Sequence, residues 1–114
     1  MSKEWRTQWA EIDRRHQGDR DSQGAIVELF ERYGELQPEQ RENVNKILFE
    51  ALREGTEVQR YDALAIINEF QVGEALPHLS QLAARLQFDD SASAPFELAK
   101  VQRIMSKLRP APRQ

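Results

Sequence analysis

The chain has 114 residues, 39% of them apolar and 31% charged, which is the size of a single domain that can bury a core without covalent staples. It has no cysteine, so disulfides, thiolate metal sites and cysteine nucleophiles are excluded. The net charge of −3 argues against a broad nucleic-acid-binding surface. No apolar run approaches the roughly 20 residues of a membrane span, and the amino-terminal MSKEWRTQWAEIDRR lacks the apolar stretch of a secretory signal; a cytoplasmic protein is the simplest expectation.

Apolar spacing reads as helix almost throughout. The first helix is expected over about residues 3–16, with Trp5, Trp9 and Ile12 on one stripe and His16 beside them. The second covers about 22–35, capped by Asp21 or Ser22, and buries Ile26, Leu29, Phe30 and Tyr33. The third, about 38–54, opens on Pro38, where a missing N–H costs nothing. It buries Val44, Ile47, Leu48, Ala51 and Leu52 and closes on Gly55 as a C′ residue.

The fourth helix begins with Thr56 and Gln59, the spacing of a capping box, and runs to about Gln71. Its apolar residues, Val58, Tyr61, Ala63, Leu64, Ala65, Ile66, Ile67 and Phe70, cover most of the helical circle, so it needs neighbours on several sides. The fifth follows Gly73 with Pro77 in its first turn. Leu76, Leu79, Leu82, Ala83 and Leu86 line one side; His78, Gln81 and Arg85 line the other. QFDDSASA is a polar loop. The sixth, about 95–109, buries Leu98, Val101, Ile104, Met105 and Leu108. One all-α domain over 1–109 and a disordered tail over 110–114 are expected. Linkers are short, so successive helices are antiparallel. About six helices stack either as a short solenoid of helix pairs or as a six-helix bundle.

The run VQRYDALAIINEF followed by QVGEALPHLSQLA resembles one HEAT-like (armadillo-type) repeat of the small bacterial kind. Val58, Arg60, Ala63, Ala65, Ile66, Ala75, Leu76, Pro77 and Leu79 fill the positions of its V-R-x-x-A and A-L-P-x-L elements. The arginine lies two residues after the valine rather than one, and the turn QVG lacks the usual Asp-Pro. The resemblance covers about residues 56–86 and implies a HEAT-like α-solenoid. Residues 22–54 have the length of a preceding repeat or cap.

No catalytic motif is present. No serine lies in a G-x-S-x-G setting, and H-E-x-x-H, a glycine-rich phosphate loop and D-x-D-x-D-G are absent. No cofactor or metal is expected, and the protein is read as a non-enzyme. Two groups of side chains stand out as candidate partner surfaces. One is the open face of the fifth helix, His78, Gln81 and Arg85, joined by Phe49 and Arg53, which point away from the apolar stripe of the third helix. Asp62 and Glu69 share a polar stripe on the otherwise apolar fourth helix and are expected to reach solvent or pair with a cation such as Arg60. The second group is an edge of the sixth helix suited to an anion or an acidic partner: Lys100, Arg103 and Lys107, within about 60° of one another, with Phe96 as apolar anchor.

Residues 21–94 carry six basic and fourteen acidic side chains, and residues 95–114 five basic and one acidic. An acidic scaffold that binds a protein with a basic surface is therefore the leading expectation. The HEAT-like resemblance adds one concrete version, an immunity-type inhibitor of a basic toxin. Weak nucleic-acid binding through the basic last helix and self-assembly into a homo-oligomer are the alternatives. An enzyme such as a HEAT-like bilin lyase ranks below them.

Overall fold

A computed structural model describes residues 4–18 and 24–109. The Asp21 or Ser22 cap and the 110–114 tail lie outside these residues. The described chain is all-α: α1 Trp5–Arg15, α2 Gly24–Gly34, α3 Pro38–Glu54, α4 Glu57–Phe70, a 3₁₀ turn Gly73–Ala75, α5 Leu76–Leu86 and α6 Ala94–Lys107. It falls into two compact units, 1–48 and 49–114. α3 begins in the first and ends in the second. Among the described residues no helix is long and apolar enough to cross a membrane.

In the first unit, Trp5, Trp9 and Ile12 of α1 are buried together with Ala25, Ile26, Leu29 and Tyr33 of α2. Trp5 lies 6.3 Å from Trp9 and meets Tyr33 edge-on, also at 6.3 Å, a geometry that suits the quadrupoles of the rings. The Tyr33 hydroxyl, buried with its ring, donates to Asn45 Oδ1 at 2.7 Å. Arg41 lies over the same ring and donates to the Gly34 carbonyl at the end of α2, satisfying an acceptor that the helix leaves unpaired. At the far end of α1, Glu28 accepts from Arg15 at 3.0 Å and pairs with His16 Nε2 at 2.5 Å.

The second unit is built on α4, α5 and α6 with the last turn of α3. The Thr56–Gln59 capping box forms in both directions, at 2.9 and 3.2 Å, so the T-x-x-Q signal is borne out. The C-terminal half of α4 is enclosed, with Ala63, Leu64, Ile66 and Ile67 buried. Its N-terminal half is not: Val58 and Tyr61 are each 43% exposed. An apolar residue on every side of the wheel therefore does not mean a helix wrapped along its whole length.

Gly55 does not take the left-handed conformation expected of a C′ glycine, since no described glycine has positive φ. Its role is close approach. A Cβ there would stand 2.6 Å from the Ala51 carbonyl oxygen and 2.9 Å from Gln59 Oε1. The left-handed position is Gln71, at φ 53° and ψ 57°, where α4 ends and the Val72 N–H reaches back to the Ile67 carbonyl at 3.0 Å, the long bond of a Schellman ending.

Pairings within the unit fix helix directions. Arg60 meets Glu97, and the next residue, Tyr61, meets Lys100, three residues beyond Glu97; the pairings advance in the same sense along both helices, so α4 and α6 run parallel. Phe49 meets His78, and Arg85 meets the end of α3, so the end of α3 runs parallel to α5.

A groove between α4 and α6

α4 and α6 bring their N-termini to the same end. Each has a glutamate in its first turn, Glu57 and Glu97, where the helix dipole favours negative charge. Glu97 accepts two hydrogen bonds from the Arg60 guanidinium, at 2.5 and 2.9 Å, and Arg60 also donates to the Gly55 carbonyl at 3.1 Å. The paired carboxylate holds the Arg60 pKa above its ordinary value. One bidentate pair thus ties the α3–α4 turn, α4 and α6 together.

Beside that pair runs a groove of about 180 Å³, lined by Glu57, Tyr61, Leu64, Ser93, Phe96 and Glu97. Leu64 is buried, whereas Phe96 is 79% exposed. The Lys100 ammonium sits 3.7 Å from the centre of the Tyr61 ring, a cation–π contact. Burial first, and then the neighbouring Arg103, lower the Lys100 pKa. Arg103 and Lys107 follow on the same face of α6, both exposed. Phe88, in the α5–α6 loop, is 83% exposed. In that loop Asp89 accepts from the Ser91 N–H at 2.8 Å, which lowers the Asp89 pKa.

The structure distributes the sequence-derived site residues unevenly. Phe96, Lys100, Arg103 and Lys107 do form one face of α6, with Phe96 open to solvent. The α3–α5 group is different. Phe49 is 9% exposed and stacks on His78 with ring centres 4.3 Å apart and planes 15° from parallel. It is therefore packing rather than an exposed anchor, because α5 covers the side of α3 that the wheel leaves polar. Burial against that ring, and then the charge of Arg53, lower the His78 pKa.

Arg85 is exposed yet engaged: it donates to the carbonyls of Arg53 and Leu52, at 2.6 Å to the latter, closing the C-terminus of α3. Gln81 and the Arg53 side chain remain exposed. Asp62 is 1% exposed and lies within electrostatic reach of Lys100, so it offers no surface to a partner. Glu69 is exposed. Arg60, expected to serve Asp62 or Glu69, is taken by Glu97.

Sequence reasoning missed three features of this region. Phe88 lies in a loop, where no periodicity marks exposure. Tyr61 was placed in the core because it belongs to an apolar helix. The Arg60–Glu97 pair spans 37 positions, and no local spacing announces it. Among the described residues no cluster of three or more His, Asp or Glu side chains is placed to hold a metal ion. No protein-family model, no curated protein and no solved structure matches the chain.

Proposed function

We propose that this protein is a non-catalytic binding module that docks another protein at the α4–α6 groove. The observation that carries this reading is Phe96. It projects from a well-packed helix into solvent, at the mouth of a groove floored by Leu64 and walled by Tyr61. An exposed aromatic beside a preformed apolar recess has the composition of an interface hot spot. Tyr61, Phe88 and Val58 add exposed apolar side chains in the same unit, and exposed apolar surface of this kind marks interaction sites. We propose further that residues 56–86 form a HEAT-like repeat and that α6 opens the next layer. The parallel courses of α4 with α6, and of the end of α3 with α5, support that layout, since stacked helix pairs place alternate helices side by side.

The test is affinity capture from the native host with the tagged chain and with a Phe96→Ala/Tyr61→Ala variant. Neither side chain is buried, so helicity and melting temperature should hold while the captured protein is lost. Undiminished capture by a folded double variant sinks the reading.

A further inference from the structure

The proposed docking function leaves open what chemistry the groove selects, and the charges around it are not symmetric. Phe96, Lys100, Arg103 and Lys107 recur at four, three and four residues on α6, within about 60° of one another on the helix surface. The groove end near the helix N-termini holds two carboxylates, and one of them, on Glu97, is already compensated by Arg60. That leaves Glu57 as the acidic wall of the groove, against three cations that continue from Phe96 towards the α6 C-terminus. Lys100 is held on the Tyr61 ring and partly buried. Arg103 is its like-charged neighbour, and Glu97 and Asp62 act on it in the opposite sense without outweighing burial.

We propose that the groove and the cationic stripe of α6 together receive an acidic linear segment of a partner protein. One apolar side chain enters beside Phe96 over Leu64, and carboxylates follow along Lys100, Arg103 and Lys107. The inference rests on the proposed docking function and adds the partner's chemistry and direction. Eleven positions separate Phe96 from Lys107, about 16 Å at the helical rise. An extended chain covers that with about five residues, so the recognised segment is short, an anchor followed by acidic positions. A carboxylate arriving at Lys100 stabilises the charged form that burial and Arg103 disfavour.

The same geometry disfavours nucleic acid. Three cations on one stripe neutralise few phosphates, too few for tight binding.

The experiment is a titration of the isotope-labelled full chain by NMR, in low salt, with three synthetic peptides of about six residues: one phenylalanine followed by glutamates, the same peptide with lysines, and the glutamate peptide with serine in place of the anchor. A single-stranded oligonucleotide is titrated alongside. The expected result is movement of the Tyr61, Ser93, Phe96, Lys100 and Arg103 signals with the anchored glutamate peptide. Its affinity should be about tenfold above either peptide control and should fall with added salt, as screening of exposed charges requires. Arg103→Glu should weaken it by about tenfold with the circular dichroism spectrum unchanged.

Preference for the lysine peptide overturns the acidic-segment inference. So does equal binding without the anchor, or no movement of these signals at millimolar peptide. Stronger movement with the oligonucleotide overturns it in favour of nucleic acid. The capture experiment keeps the two failures apart: Phe96-dependent capture with a lysine preference refutes only the acidic chemistry. Capture indifferent to Phe96 and Tyr61 refutes the docking site itself.

Discussion

Gly55 and Gln71 close α3 and α4 in opposite ways. Gly55 has an ordinary backbone but no room for a Cβ, which would meet the Ala51 carbonyl oxygen at 2.6 Å. The obstructing atom is backbone, so it cannot swing aside. Gly55→Ala should cost on the order of 1–3 kcal/mol, the range of overpacked sites, read as a lower denaturant midpoint. Gln71 carries a side chain in the left-handed region, where glycine avoids the clash of Cβ with backbone. Its own amide offsets part of the strain by donating to the Asn68 carbonyl at 2.7 Å. Gln71→Gly should therefore raise stability, by no more than about 1 kcal/mol, and a lowered melting temperature would show that the Gln71–Asn68 bond outweighs the strain. The sequence marks a helix stop at both points but assigns the C′ role to Gly55, whereas the left-handed residue is Gln71. Glycine after a helix usually signals left-handed backbone, and nothing local distinguishes it from a glycine kept for close approach.

At the scale of elements, the six helices were legible because apolar periodicity and caps agree within each. Pro38, the Thr56–Gln59 box and Pro77 mark starts with their own chemistry, and the observed bounds of α3 are the expected ones. What a helical wheel cannot give is position along the axis. Asp62 and Glu69 share a stripe, yet Asp62 is buried and Glu69, two turns further on, is exposed, because one face of α4 is covered at one level and open at another. Phe49 shows the complementary limit: its angle on α3 was right, but the wheel does not say that His78 lies there. The Phe96–Lys107 stripe was legible since α6 leaves that face open and needs no distant partner to define it.

The Arg60–Glu97 pair, invisible to any local reading, joins two helices and a turn. Glu97→Gln should destabilise the chain by about 1.5–3 kcal/mol, the cost of losing charged hydrogen bonds, in chemical denaturation. Arg60→Met combined with Glu97→Leu should recover part of that loss, because no buried charge is then left unpaired. A single substitution without effect would mean that solvent screens the pair.

Over the whole molecule, composition and local surface favour different partners. The acidic excess of residues 21–94 favours a cationic partner, whereas the stripe beside Phe96 is basic. Part of the acid response of the molecule belongs to the first unit. The hydrogen bonds from His16 and then Arg15 lower the Glu28 pKa below its ordinary 4.5. A depressed carboxyl pKa contributes stability that is complete above the ordinary value and is lost as pH falls through the depressed one. Acid should thus weaken the α1–α2 contact, and Glu28→Gln should flatten the acid limb of a stability-against-pH curve. An unchanged limb would place the sensitivity elsewhere.

Both tryptophans, Trp5 and Trp9, belong to the first unit, and the second has none. The molecule is therefore optically divided. Indole emission comes from the first unit, and the near-ultraviolet signal of two rings 6.3 Å apart reports their packing. Far-ultraviolet ellipticity counts helices in both units. A melt followed in the two windows measures the cooperativity between the units directly: superimposed curves mean one folding transition, and displaced curves mean that the tryptophans have been watching half of a protein.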